Sequence, residues 1–170
     1  FLSNADLDEA RNQANGIAML HPAGNWTLQD LVTTSRDLAA GGNFLGALRP
    51  MGAAVTISDA SEHWLEYGRL AGIVAANDNQ RRKDMGNRAV SAAVNAYLRS
   101  ISEGQRATVL AQLAAALELS GRGRDMIPAL RLAQKMQPRD DTAAALDDAN
   151  GKYGFRITEH QVDSDASIPR

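Results

Sequence analysis

The three histidines are the first residues to test for chemistry, because imidazole is a common metal ligand and general base. His21, His63 and His160 lie far apart, and none has a suitable second ligand three or four residues away, as a helical zinc pair requires. The chain has no cysteine, which excludes disulfides, thiolate zinc sites and cysteine nucleophiles within it. We expect no metal site, no cofactor and no nucleophile beside a base.

Adjacent carboxylates are the second candidate. Asp140–Asp141 and Asp147–Asp148 are neighbours in sequence, so on a helix they point in different directions instead of flanking one bond. Asp140 or Asp141 is better interpreted as the cap of a final helix. Asp163 and Asp165 resemble the opening of a calcium loop, but the glycine and closing glutamate are missing. These patterns predict a chain that is not an enzyme.

Glycine-rich and basic segments were tested for phosphate binding. Residues 121–123 lack the third glycine and preceding strand of a dinucleotide loop, and residues 41–46 lack the Lys-Ser/Thr ending of a phosphate loop. Both are predicted turns. Residues 81–83, Arg122 and Arg124 have acidic neighbours, which favours solvated loops. With a net charge of -2, the chain has no basic field for nucleic acid or anionic lipid.

Trp26 and Trp64 could each stack on a sugar or a peptide. Trp64 falls on a helix position where a tetratricopeptide-like repeat buries its largest residue, which favours a core role. Asn25-Trp26-Thr27 is formally a glycosylation sequon, but we interpret it as a helix start with Asn25 or Thr27 as the cap. The role of Trp26 stays open.

The predicted helices that carry these residues follow a repeated helical-hairpin pattern. Each copy has a large apolar residue, a small one four later, a glycine turn, a crossing point and an end signal. The first copy is Leu31, Ser35, Leu38, Gly42, Ala47, Met51, Ala54 and Asp59. The third copy is Leu110, Ala114, Leu117, Gly121, Met126, Leu130, Ala133 and Pro138. The weaker middle copy is Trp64, Gly68 and Ala71.

Spacing between the copies predicts an insertion in the middle one. Trp64 follows Leu31 at nearly the expected period, whereas Leu110 follows Trp64 after roughly a dozen residues too many. The polar run of residues 77–84 is the candidate insertion. We expect three right-handedly stacked hairpins and an extra N-terminal helix. Their predicted buried residues are Leu31, Leu38, Trp64, Leu110, Leu117 and Leu130.

Apolar periodicity and stop signals predict eight helices. Pro50 should kink its helix or delay the start of that helix. The predicted ranges are 6–20, 27–40, 43–57, 61–76, 87–101, 103–120, 124–136 and 141–149. With 170 residues, 5% of them aromatic, the chain favours one all-α domain of closely packed helices.

The C-terminal segment breaks this pattern. Tyr153, Phe155 and Ile157 alternate with polar or small residues, which is typical of a half-buried strand. A lone strand is not stable in water, so we expect residues 153–157 to lie against the final helices near Leu130 and Leu146. Residues 163–170 are expected to be extended and weakly held.

This segment carries a resemblance to a known family. Residues 153–157, 159–162, Asp165 and 168–170 resemble the junction in bacterial alpha-2-macroglobulin family proteins. There an alanine-rich helical region precedes the first macroglobulin-like β-domain, and the helical part of this chain is similar to that region too. The resemblance implies a large exported protease-trapping protein, and hence a periplasmic or envelope location.

The trapping machinery itself cannot lie in this chain, because a thioester requires cysteine and a bait region would lie further downstream. The expected partners are the downstream macroglobulin-like domains, target proteases of the full-length protein and an envelope protein. The predicted organisation is a possible tag remnant at 1–5, a helical-repeat domain at 6–150, and a linker with the first strand of an absent β-domain at 151–170.

Two functions follow from this organisation. The first is a non-catalytic helical scaffold or interaction domain of an alpha-2-macroglobulin-like endopeptidase inhibitor. The alternative is a stand-alone tetratricopeptide-like adaptor that binds a peptide or protein partner on a concave face. No apolar run is long enough to span a membrane, and if the natural protein is exported we expect its leader to have been removed or left out.

Overall fold

A computed structural model describes residues 2–154 of the chain, and these residues form an all-α structure without strands. This confirms the prediction that the chain is all-α. A short 3₁₀ turn, Gly123–Asp125, precedes the seventh helix. The helices are α1 (Asn4–Leu20), α2 (Leu28–Ala40), α3 (Phe44–Ile57), α4 (Ser61–Asn77), α5 (Arg82–Leu98), α6 (Glu103–Leu119), α7 (Met126–Met136) and α8 (Asp140–Tyr153).

Side-chain caps explain several of these boundaries. Thr27 is the N-cap of α2 and accepts a hydrogen bond from the Asp30 N–H at 3.2 Å, as one of the two predicted caps. Asn43 and Ser102 cap α3 and α6 in the same way. After α2, Gly42 takes a φ of +83°, a conformation that only glycine adopts cheaply.

The core is formed by pairs of neighbouring helices. From α2 onward, consecutive helices pack against each other, and α4 also contacts α6. Five of the six predicted core residues are buried, whereas Leu38 is partly buried. The predicted small contact residues Ser35, Gly68 and Ala114 are buried as well. Small residues at these positions allow the helix backbones to approach closely.

Two buried serines fasten the helix pairs. Ser35 of α2 donates a hydrogen bond to the Ala47 carbonyl of α3 at 2.9 Å, and Ser61 of α4 donates to the Ala96 carbonyl of α5 at 2.7 Å. A buried hydroxyl without a partner would destabilise the fold, so these two bonds make serine compatible with tight helix packing.

Helix α1 does not continue the series of consecutive pairs. It packs on α5 and α3, with Ala10 and Ile17 buried. Its N-cap is Ser3, which forms a reciprocal capping box with Asp6. Residues 3–5, which were predicted to be a possible tag remnant, therefore take part in the first turn of α1.

Hydrogen bonds connect α1 to residues far away in the sequence. Asp6 accepts a hydrogen bond from the Arg122 guanidinium at 2.6 Å, and Gln13 donates to the Arg88 carbonyl at 2.8 Å. Asn95 donates to the Ala10 carbonyl at 2.8 Å. The N-terminal helix thus links α5 to the turn that follows α6.

The predicted insertion is not a long loop. Only residues 78–81 connect α4 to α5, and α5 begins at Arg82, five residues earlier than predicted. Asp78 makes the connection compact because its carboxylate accepts hydrogen bonds from the N–H groups of Gln80 and Arg81. The added residues lengthen the helices, and Gly86 lies against the backbone of Leu119, where a side chain would not fit.

Of the two effects expected at Pro50, a kink or a delayed helix start, the delayed start is wrong. Helix α3 begins at Phe44 and continues through Pro50 to Ile57. A proline inside a helix removes one backbone hydrogen bond. Burial of Ala47, Leu48 and the segment 51–55 around it holds α3 in place.

The C-terminal boundary differs most from the prediction. Helix α8 does not end at Asn150-Gly151 but continues to Tyr153, so Tyr153 is helical and not part of a strand. The Tyr153 ring covers Gly123, and its hydroxyl donates a hydrogen bond to Glu118 at 3.1 Å. This packing extends the helix. The predicted positions of residues 155–170 lie outside the described residues.

Candidate interaction surface

The predicted histidine positions do not converge. His21 is the C-cap of α1 and His63 lies in the first turn of α4, while His160 is outside the described residues. Within residues 2–154, no group of three or more His, Cys, Asp or Glu side chains is placed to hold a metal ion. In the same range, no helix combines the length and apolarity needed to cross a bilayer.

The structure contradicts the expectation that no nucleophile lies beside a base. Ser58 Oγ is 2.6 Å from His63 Nδ1, and Glu62 is 4.0 Å from the other ring nitrogen of His63. Ser58 and His63 are five residues apart across the α3–α4 turn, a spacing that does not by itself predict this contact. Ser58 Oγ also accepts a hydrogen bond from the Ala60 N–H at 3.2 Å, so this serine helps to close the turn.

Of the predicted solvated arginines, Arg122 is the clear exception. It pairs with Asp6 at 2.6 Å and with Asp125 at 3.0 Å, and its side chain is only 33% exposed. The pair with Asp125 could be predicted from the sequence neighbourhood. The pair with Asp6 could not, because nothing local indicates that α1 returns to this turn.

The carboxylate pairs have structural positions. Arg139 is the N-cap residue of α8, and Asp140 and Asp141 lie in the first turn. The positive end of the helix dipole stabilises their negative charge there. Asp141 accepts a hydrogen bond from the Thr142 N–H at 2.8 Å. Neither aspartate is itself the cap residue. Asp148 pairs with Lys152 one turn later on α8, at 3.4 Å.

Helix α4 borders several grooves on the surface of the molecule. Three grooves border it: one of about 260 Å³ towards α6, one of about 350 Å³ towards α2, and one of about 370 Å³ at the α2–α3 turn. Arg69 lines the first two grooves, and Ile73 and Asn77 line the first and the third. We call these three grooves together the α4 trough.

The part of the α4 trough towards α6 is narrow and apolar. Its walls are formed on one side by Gly68, Gly72 and Ala76, and on the other by Ala115 and Leu119. A Cβ atom on Gly72 would meet Leu119 at an ordinary van der Waals distance of 3.7 Å. The groove is therefore open because small side chains leave backbone uncovered.

The part of the α4 trough towards α2 is charged. It is lined by side chains of both signs, including Arg36, Glu62, Glu66 and Arg69. Arg69 donates two parallel hydrogen bonds to Glu66, at 2.8 and 2.6 Å. The hydrogen bonds from Arg69 to Glu66 raise the pKa of Arg69 above its usual value.

Comparisons with known proteins give no further assignment: no family model, no curated protein and no solved structure matches this chain.

Proposed function

We propose that the helical part of this chain is a non-catalytic interaction scaffold that binds a polypeptide segment along the α4 trough. The observation that carries the proposal is the set of three grooves that border one helix. An apolar slot beside a row of charged side chains can accept an extended segment, because the slot takes side chains and the charges set the register.

The arrangement we propose for these helices is a tetratricopeptide-like stack. Its support is the packing of α2 with α3, α4 with α5, and α6 with α7, together with the buried small residues Ser35, Gly68 and Ala114. In stacked helical pairs, one helix of each pair commonly lines a binding surface. Helices α2, α4 and α6 would hold that position here.

The finer proposal is that the chain is the N-terminal helical region of a bacterial envelope protein similar to the alpha-2-macroglobulin family. Its support is the sequence pattern at 153–157, 159–162, Asp165 and 168–170, of which the structure describes only Tyr153 and Gly154. In this proposal the segment bound in the α4 trough belongs to the downstream macroglobulin-like domains of the same polypeptide. Protease trapping and periplasmic location would be properties of the whole protein.

A non-catalytic role is consistent with how Ser58 is used. A serine nucleophile needs a free path to a substrate and donors that stabilise the developing oxyanion. Ser58 instead accepts the Ala60 N–H while it contacts His63. If the isolated chain hydrolysed an activated ester, and Ser58→Ala abolished that activity, this part of the proposal would be wrong.

The alternative, a stand-alone adaptor, is favoured by one observation. Helix α8 packs on α7 and extends to Tyr153, as a terminal helix that covers the last pair of a helical stack would do. The nucleotide sequence after the Arg170 codon separates the two possibilities. Strands of a β-sandwich there support the family proposal, and an immediate stop codon supports the adaptor.

Hydroxyl-radical footprinting tests the trough. We expect Ile73 and Leu119 to be oxidised several-fold more slowly in the full-length protein than in the 170-residue chain. Ile101, which is 91% exposed and distant from the trough lining, serves as the internal control. Equal oxidation of Ile73 in both proteins would contradict binding along α4.

A matched pair of substitutions sharpens this test. Ala115 and Ala144 are both exposed helical alanines, but only Ala115 lines the α4 trough. Ala115→Arg should restore fast oxidation of Ile73 in the full-length protein, because the long side chain blocks the slot. Ala144→Arg should leave the protection unchanged.

A further inference from the structure

A second groove, distinct from the α4 trough, lies between the α1–α2 loop, α2 and α3. Its volume is about 550 Å³, within the range of pockets that hold small organic ligands. Its apolar lining includes Leu20, Pro22, Trp26, Leu31 and Pro50. We call it the Trp26 groove.

Two exposed large apolar side chains line this groove. Leu20 is 71% exposed and Trp26 is 62% exposed, and Met19, next to Leu20, is 83% exposed. Exposure of a tryptophan and a leucine to water is energetically unfavourable. Clusters of exposed apolar residues commonly mark a binding site. This cluster therefore points to a ligand with an apolar part.

The loop that carries Trp26 is locally well defined. The His21 N–H donates to the Ile17 carbonyl at 2.9 Å, and the Trp26 N–H donates to the Ala23 carbonyl at 3.2 Å. Thr27 follows at once as the cap of α2. Binding would thus require little ordering of the loop, which favours affinity.

The positive charge that lines the groove indicates that the polar group of the ligand is negatively charged. Arg49 is exposed and lines the groove, together with His21 and Thr34, and none of the lining residues is acidic. Within residues 2–154, no carboxylate lies within ion-pair distance of Arg49. A guanidinium beside an apolar cleft is suited to a carboxylate, which it can bind through two parallel hydrogen bonds.

From these observations we propose that the Trp26 groove binds a small amphiphilic carboxylic acid, with its apolar chain against Trp26 and its carboxylate at Arg49. The groove is large enough to admit the apolar chain of such an acid. The site is separate from the α4 trough, so the two proposals stand or fall independently.

Octanoate is the probe for the test, and the two tryptophan indole N–H resonances of the 170-residue chain are the readout. Titration with octanoate should shift the Trp26 resonance saturably, with a dissociation constant of about 1 mM or tighter. The Trp64 resonance should not move, because Trp64 is buried in the core. If octanoate causes no saturable shift of the Trp26 resonance, the proposal is wrong.

A matched pair of arginine variants tests the polar contact. Arg49→Gln should weaken octanoate binding at least tenfold. Arg131→Gln, which removes an exposed arginine that lines neither this groove nor the α4 trough, should change octanoate binding less than twofold. Equal effects of the two substitutions would show that only the overall charge matters and would overturn the proposed site.

Two further ligands complete the design. Octanol has the same chain without the charge, and it should bind at least tenfold more weakly than octanoate. N-acetyl-Ala-Ala-Leu presents a peptide carboxylate, and we expect it to bind no more tightly than octanoate. Tenfold tighter binding of this peptide would identify a peptide terminus as the ligand and would overturn the assignment to a free acid.

Discussion

The two tryptophans of this chain occupy opposite kinds of environment. Trp64 is 2% exposed, packs edge-on against Tyr67 with ring centroids 6.2 Å apart, and lies beneath the Arg99 guanidinium at 5.2 Å. Trp26 is 62% exposed and stands at the rim of a groove. The same residue type thus supports the fold at one position and is available for binding at the other.

The comparison teaches where helical periodicity has predictive value. Trp64 lies in α4 at a position set by the spacing of the core residues, so its burial follows from register. Trp26 lies in a loop, where register gives no information. Even the core position is imperfect, since within the described residues Trp64 Nε1 has no hydrogen-bond partner. Apolar packing therefore outweighs the loss of one hydrogen bond there.

The largest effect is expected at Trp64. Trp64→Ala should lower the free energy of unfolding by about 3–5 kcal/mol, because it opens a large cavity in a core with few other aromatic residues. Urea denaturation measures this change. Trp64→Phe should cost clearly less, and a loss below about 1 kcal/mol for the alanine variant would remove the distinction between the two tryptophans.

An intermediate effect is expected where α1 is tied to the remainder of the fold. Asp6→Asn should destabilise the chain by about 1–2 kcal/mol, because it weakens hydrogen bonds with a charged partner. Burial raises the pKa of Asp6, but hydrogen bonds from Arg122 and Ser3 and the charge of Arg122 outweigh burial and hold the pKa below its ordinary value of 3.8.

The pH dependence of the Asp6 effect has a definite sign. Because the pKa is lower in the folded state, the carboxylate contributes its full stabilisation above pH 3.8 and loses it as the pH falls through the folded-state pKa. The difference between wild type and Asp6→Asn should therefore shrink in acid. A difference that stays constant from pH 6 down to pH 2 would contradict the ion pair with Arg122.

A smaller effect is expected at His21, at the edge of the Trp26 groove. Burial, followed by the charges of Arg49 and Arg88, lowers the pKa of His21 below 6.5. The unfolded chain then binds the proton first, so stability should decrease as the pH falls below 6.5. Urea midpoints at pH 7.5 and pH 5 measure this loss, and His21→Gln should reduce it. An unchanged loss would assign it to another group.

The smallest effect on stability is expected at Trp26. Trp26→Ala should change the free energy of unfolding by no more than about 0.5 kcal/mol, because the side chain is mostly in water already. Thermal or urea unfolding beside Trp64→Ala gives the direct comparison. A loss of 2 kcal/mol or more would mean that Trp26 supports the fold, and the contrast between the two residues would disappear.

Local signals predicted most of the fold. Apolar spacing identified all eight helices, and Thr27 was one of two residues named as the cap of α2. The errors arose where tertiary packing overrode a local stop signal. Asn150-Gly151 normally ends a helix, but contacts of Tyr153 with Glu118 and Gly123 extend α8 beyond it.

The surfaces were less predictable than the helices. Trp26 was named as a possible stacking residue, but its groove is completed by α3, through Arg49 and Pro50, and no sequence spacing relates α3 to the α1–α2 loop. The α4 trough depends on which small residues face each other across two helices. Gly68 was predicted as a contact residue, whereas the opening beside Gly72 and Ala115 could not be predicted.

The ion pair between Asp6 and Arg122 also has a consequence for the order of synthesis. The two residues are 116 positions apart, so at about 5–20 residues per second the ribosome needs roughly 6–23 s between them. The helices on which α1 packs are completed within that interval, since α3 ends at Ile57 and α5 ends at Leu98. The apolar stripe of α1 can therefore be buried before the third helix pair exists, whereas its ion pair with Arg122 can form only after α6 has been synthesised.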